Sequence, residues 1–237
     1  MEMKCDKNVY KATDKMSEII CDNASLLLVM SRFGISLGFG DDSVHQVCSR
    51  QNVDLGTFLA VINFLSDNTN RIADYGNDLS VDALLDYLKR SHSYFLDFAL
   101  PGIREKLVAA IGKQGEVTGL VLKFFDDYMA EVGKHMEYEE QLVFPFVESL
   151  LEGRADGNFA ISTFSRYHIP VDEKLTELKN IIIKYIPQQS ANNNLLNSVL
   201  FDIFSCEKEL QSHCRIEDYL FVPAVMNLEK ELGHAHK

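Results

Sequence analysis

The sequence contains no tryptophan and only five prolines in 237 residues. Sustained alternation of apolar and polar residues, which marks half-buried strands, is also missing. Long stretches instead repeat apolar residues with the 3.6-residue period of an amphipathic helix. The sequence therefore predicts an all-α protein, long enough for one large domain or for a medium-sized domain with a small partner.

Cysteine is scarce and follows no recognisable spacing. The five cysteines are scattered along the chain, and no Cys-x-x-Cys pair occurs among them. An odd number at such separations favours neither a disulfide framework nor a zinc ribbon. We therefore expect free thiols.

Positive charge and long apolar runs are also in short supply. The chain has 23 Lys and Arg against 35 Asp and Glu, which gives a formal net charge of −12. Such a surface repels phosphate backbones and anionic lipid, which argues against nucleic acid and membranes as partners. No window approaches the roughly 18 apolar residues that span a bilayer, and the polar start of the chain lacks the apolar core of a signal peptide. We expect a cytoplasmic protein.

The chain divides by composition into three parts. Residues 1–66 predict a small helical N-terminal domain, and the polar, turn-rich residues 67–78 predict a linker. Residues 79–237 contain four long helical segments, at about 79–111, 116–151, 159–186 and 194–232. Because the connections between them are short, we expect an antiparallel up-down-up-down four-helix bundle.

Four of the seven histidines are distributed one to each long segment. They lie in apolar stretches at His92, His135, His168 and His213. Two of them are followed four residues later by a glutamate, at Glu139 and Glu217. Side chains four residues apart share a helix face, so each His–Glu pair is expected to point in one direction, into the bundle.

A metal cluster would satisfy all six of these side chains together. A buried carboxylate is costly unless it is paired or bound to a metal. Imidazole suits iron, zinc and copper, and bridging carboxylates suit a pair of hard ions such as iron. Two histidines per metal and two bridging glutamates would leave about two positions on each octahedral ion for an oxide and a small ligand. The predicted ligands are His92, His135, Glu139, His168, His213 and Glu217.

Two alternatives make different demands on the sequence. A ferritin-like site needs Glu-x-x-His on two helices, and the only such spacing here is Glu231 to His234, near the end of the chain. The sequence therefore argues against a ferritin-like site. A purely structural bundle without metal stays open, since a single histidine on an apolar face is more often a core residue.

The two His–Glu pairs belong to similar motifs, HMEYEEQLVFP at residues 135–145 and HCRIEDYLFVP at residues 213–223. Each places a proline six residues after its glutamate. Apolar runs continue beyond Pro145 and Pro223. We therefore expect both helices to persist past their prolines, with a kink at each.

The six residues and the two motifs together resemble the hemerythrin-like bundle. The long form, with its helical N-terminal domain, resembles the di-iron proteins for repair of iron–sulfur centres, the RIC family. This resemblance implies two non-haem iron ions and a role in restoring iron–sulfur clusters damaged by nitric oxide or peroxide. It also implies damaged iron–sulfur proteins as clients, and a repair or redox protein rather than a conventional turnover enzyme. The oligomeric state stays open, with a homodimer as one option.

Two features distinguish this chain, one from the oxygen-carrying hemerythrins and one from the RIC family. Oxygen-carrying hemerythrins have a further histidine four residues after the third-segment one, where this chain has Asp172. The chain therefore looks less like an oxygen carrier. The RIC signature Gly-Ile-Asp-Phe-Cys-Cys-Gly-Gly is represented by GISLGFGD, in which Gly38 and Phe39 replace the cysteine pair. A hemerythrin-like protein that binds or senses oxygen, nitric oxide or iron without repair activity is therefore the alternative.

Overall fold

A computed structural model describes residues 9–66, 79–111, 116–154, 159–167, 173–186 and 192–235. Within these ranges the regular structure is helical, and the extended pairing is limited to one isolated bridge between Lys15 and Ser43. The predicted all-α class is confirmed. The predicted linker at 67–78 lies outside the described residues, so the proposed domain boundary stays a prediction.

Four short helices lie within the described N-terminal residues 9–66. They are α1 Met16–Asp22, α2 Leu26–Arg32, α3 Val44–Arg50 and α4 Leu55–Ser66. Helix α3 begins with a capping box, because the Ser43 hydroxyl accepts the Gln46 N–H while the Gln46 side chain accepts the Ser43 N–H. The capping box fixes the start of α3.

The described residues of the long segments are helical over nearly the predicted ranges, and the first, second and fourth segments contain a π-helical turn. The first consists of α5 Val81–Ser93, π1 Tyr94–Ala99 and α6 Leu100–Ile111. The second consists of α7 Glu116–Tyr138, π2 Glu139–Val143 and α8 Phe144–Leu151. The third consists of α9 Ile161–Tyr167 and α10 Glu173–Tyr185. The fourth consists of α11 Asn193–Ile216, π3 Glu217–Phe221 and α12 Val222–Ala235.

The helices continue through their prolines. Pro145 lies in α8 and Pro223 lies in α12, and each helix extends well beyond it. The predicted persistence is thus confirmed. The structure accommodates each proline with a π turn directly before it, a feature that apolar periodicity alone did not indicate.

By its contacts the chain forms two compact units, one of Met1–Arg90, Glu148–Ala155 and Ile216–Lys237 and the other of Ser91–Val147 and Asp156–Arg215. In the first unit the N-terminal helices pack on the start of α5, where the Phe33 ring lies 5.1 Å from the Tyr87 ring. Gly34 follows in a left-handed conformation (φ 71°), and an added Cβ there would collide with the Arg90 guanidinium. The positive φ favours glycine here, whereas the guanidinium, as the far end of a flexible side chain, can move away from an added Cβ.

In the second unit, polar pairs show how neighbouring segments run. Along the first segment, His92 contacts Glu139 and Arg104 contacts Asp126, so the partner number falls as the residue number rises. The same holds for Tyr94 with Glu209 and Lys106 with Asp202 on the fourth segment. The first segment is thus antiparallel to both the second and the fourth.

The third segment completes the bundle. Lys174 pairs with Glu131 of the second segment, and Lys179 pairs with Glu207 of the fourth. A continuous apolar core that includes Phe125, Leu178 and Ile203 fills the interior. The hemerythrin-like helical bundle predicted from the sequence is therefore confirmed. None of the described helices combines the length and apolar character needed to cross a bilayer.

The pair Lys179–Glu207 is an ion pair inside the bundle. Both residues are buried, the Thr176 hydroxyl donates to the same carboxylate at 2.5 Å, and the Lys179 ammonium lies 4.3 Å from the centre of the Phe204 ring. Removing one member of a buried pair leaves the other charge uncompensated.

We predict that Lys179→Ala lowers the free energy of unfolding by about 3–5 kcal/mol, because Glu207 would stay buried without its cation. Lys174→Ala, which breaks the half-exposed pair with Glu131, is the matched control and should cost about 0–1 kcal/mol. Urea unfolding of both variants measures the difference. Equal losses in the two variants would contradict the assignment of a buried pair.

Candidate metal centre

Four of the six predicted ligands come together in the described part of the chain. One ligand atom from each of His92, Glu139, His213 and Glu217 lies within 4.8 Å of the others. Their exposed fractions are 0%, 0%, 3% and 1%. Two imidazoles and two carboxylates therefore meet in a place that water does not reach.

The helices place these side chains by simple periodicity. His92 lies in the last turn of α5, and His213 lies in the last turn of α11. Glu139 and Glu217 are the first residues of π2 and π3. Each glutamate follows a histidine by four residues on one helix, so the two side chains project from the same face.

A fifth predicted ligand contacts the same carboxylate. His135 Nε2 lies 3.1 Å from Glu139 Oε1, while His92 Nε2 lies 3.0 Å from Glu139 Oε2. The His135 side chain is 15% exposed, so it reaches the centre from nearer the surface. The two oxygens of Glu139 thus face imidazoles from two different helices.

The sixth predicted ligand, His168, lies outside the described residues, as does Asp172. Its position relative to the other five stays a prediction. The two described helices of the third segment lie before and after it in the chain, since α9 ends at Tyr167 and α10 begins at Glu173.

The His92 ring is fixed by contacts on both of its nitrogens and on its face. While Nε2 points to Glu139, Nδ1 lies 3.1 Å from Glu140 Oε1, and Phe144 stacks on the ring at 5.1 Å. Metal-binding histidines commonly donate their second N–H to a carboxylate, which fixes tautomer and orientation. Glu140 directly follows the ligand Glu139 and so leaves the ligand face of its helix, where the sequence predicts exposure to solvent or an inter-helix salt bridge. The structure pairs it with His92 of the first segment.

Aromatic rings from the first and second segments, Phe95 and Phe144, pack against the two histidines. The His213 ring lies 5.2 Å from the His92 ring and 5.8 Å from the Phe95 ring. Phe95 and Phe144 are both buried. The two histidines are therefore packed against apolar neighbours as well as against each other, which limits their rotation.

The donor set fits a metal cation. Unshielded carboxylates at this depth are unfavourable, and a cation offsets both the desolvation and the repulsion between them. Imidazole nitrogen and carboxylate oxygen together suit iron, zinc or manganese, whereas soft ions prefer thiolates. No cysteine belongs to the cluster found among the described residues. The side chains present can thus hold a cation, and their chemistry favours a hard or borderline ion.

Comparison with known proteins supports this interpretation of the cluster. The sequence profile described as Hemerythrin HHE cation binding domain matches residues 83–225, which is more than half of the chain and contains all six predicted ligands. No curated protein matches the chain significantly. The chain therefore belongs to the hemerythrin HHE cation-binding domain family.

Proposed function

We propose that this protein holds two non-haem iron ions in the bundle and acts in the repair of iron–sulfur clusters damaged by oxidative or nitrosative stress. The proposal of a metal site rests on the buried cluster of His92, Glu139, His213 and Glu217. His135 contacts Glu139 of this cluster. The repair role rests on the resemblance to the RIC family.

The number of donors supports two ions. The five predicted ligands in the described residues offer three imidazoles and two carboxylates. With one nitrogen from each imidazole and two oxygens from each carboxylate, that makes seven donor atoms. An octahedral ion has about six positions. Seven protein donors, and an eighth with His168, exceed one ion and suit two ions that share the carboxylates.

The donor types support iron. Bridging carboxylates with terminal imidazoles match hard and borderline ions, and bound iron would supply redox chemistry and open positions for nitric oxide or oxygen. The residues of the chain have separate parts in this proposal. Glu139 and Glu217 compensate the positive charge, and Glu140 orients His92 through Nδ1.

A second candidate is a protein that binds or senses oxygen, nitric oxide or iron without repair. The N-terminal residues favour it, because the cysteine pair of the RIC signature is replaced by Gly38 and Phe39. Cys48 is a poor substitute, since burial, assisted by Asp54, raises the pKa of its thiol to about 11. Cys21 is exposed and keeps an accessible thiol.

We expect the wild type, expressed with ample iron, to contain close to two iron ions per chain, and Glu139→Gln to contain substantially fewer. The amide removes a negative charge that balances the cations. Plasma emission spectrometry of the purified proteins measures iron, zinc and manganese together. Glu137→Gln, an exposed change on the same helix, is the control and should load like the wild type. Zinc in place of iron in the wild type would refute the metal assignment.

Glu140→Leu should weaken metal binding by about 10- to 100-fold, the usual loss when a group that orients a ligand is removed. Because Glu140 is half-exposed, the fold should tolerate the change. Competition with a chromogenic chelator gives the affinity, and Glu137→Leu tests whether an added apolar side chain alone matters. An unchanged affinity would show that Glu140 does not position His92.

Repair and sensing are separated by one assay. Iron-loaded wild type should restore the activity of a dehydratase whose iron–sulfur cluster has been damaged by peroxide or nitric oxide, and Glu139→Gln should not. Residual activity of the dehydratase over time is the measurement. Reversible binding of nitric oxide or oxygen by the wild type without any restoration would favour the second candidate.

A further inference from the structure

Three π turns lie at the same distance from three prolines. Each turn ends two residues before the proline, with π1 before Pro101, π2 before Pro145 and π3 before Pro223. In every case the residue before the proline donates its N–H to the carbonyl five residues earlier. These hydrogen bonds run from Leu100 to Phe95, from Phe144 to Glu139 and from Val222 to Glu217.

The proline explains why an ordinary α turn does not form there. Its nitrogen carries no hydrogen for the carbonyl four residues earlier, and its ring would collide with that carbonyl. At Pro145 the carbonyl concerned belongs to Gln141, and at Pro223 it belongs to Tyr219. A turn widened by one residue avoids the collision and lets the helix continue.

The extra residue decides which side chains face the interior beyond the glutamate. Glu139, Val143 and Val147 are all buried, and each follows the last by four residues. In an α-helix two steps of four residues would turn Val147 by about 80° away from Glu139, at 3.6 residues per turn. The π turn, which contains one more residue than an α turn, offsets this rotation, so the ligand and the apolar residues after it face inward together.

The second glutamate has the same arrangement. Glu217, Phe221 and Val225 are buried and again follow in steps of four. Pro145 and Pro223 are exposed, whereas the glutamates and apolar residues on either side of them are buried. Their effect is therefore on the backbone, since an exposed ring contributes little to core packing.

From these observations we infer that Pro145 and Pro223 are positioning residues for the metal centre. Each excludes the α-helical alternative and so holds the register in which Glu139 or Glu217 and the following core residues point inward together. The inference rests on cation binding at the cluster in the proposed function, but not on iron or on repair.

The test is Pro145→Ala and, independently, Pro223→Ala. Alanine restores the N–H and removes the ring, so the α turn competes with the π turn, and the apparent affinity falls with the fraction that keeps the binding register. We expect each variant to bind ferrous iron and cobalt(II) about 10- to 100-fold more weakly, as for loss of a group that orients a ligand. The metal-free variants should melt at the same temperature as the wild type or higher, because alanine is favoured over proline inside helices.

The control is Pro101→Ala, the same change before π1, in which Phe95 lies six residues before the proline, as Glu139 and Glu217 do in π2 and π3. Phe95 packs on His213 but offers no ligand atom, so the metal affinity should fall much less than in the two test variants. Crystal structures of the metal-free variants should show an α turn replacing π2 or π3 in at least part of the molecules.

Two results would overturn the inference. One is unchanged affinity in both variants, which together with a lower melting temperature would mark the prolines as purely structural. The other is weaker binding with the π turn intact. Failure of the proposed function would appear elsewhere, in a wild type that contains no iron. The metal-free structures would still decide whether the prolines hold the π turns.

Discussion

Two carboxylates without access to water are the constraint on which the rest of the bundle depends. Glu139 and Glu217 are essentially unexposed and lie beside His92 and His213. An ionised carboxylate at such depth needs a compensating cation or a dense set of hydrogen-bond donors. The imidazoles supply part of this compensation, and a metal cation would supply the rest. Because the surrounding core is apolar, the two buried carboxylates destabilise the fold without a cation and interact strongly with a bound cation.

The backbone around these carboxylates is adapted to the same constraint. An uninterrupted α-helix would rotate Val147 away from the side that Glu139 faces, and would do the same for Val225 relative to Glu217. π2 and π3 each begin at the glutamate and remove this conflict. Glutamate, π turn and exposed proline recur together in the second and fourth segments, both of which contribute a carboxylate to the cluster. Contacts at the periphery, such as Glu140 on His92, then fix the rings.

Much of this could be predicted from the sequence because it follows from local periodicity. The second segment was predicted at 116–151 and is helical over Glu116–Leu151, and the helices continue past Pro145 and Pro223 as expected. The π turns could not be predicted as such. The four-residue spacing of Glu139, Val143 and Val147 is compatible with a π turn, but the same sequence pattern is also compatible with a kinked α-helix. The pairing of Glu140 with His92 depends on the register between two helices, which no single segment encodes. That His168 is a metal ligand stays a prediction, since it lies outside the described residues.

We propose that the buried carboxylates hold two iron ions, and anomalous diffraction at the iron absorption edge, from crystals of protein expressed with iron, is the decisive experiment. It should give two peaks about 3.5–4 Å apart, the usual spacing of paired metal ions, with Glu139 and Glu217 contacting both. A single peak, or density whose anomalous signal appears only at the zinc edge, would contradict it.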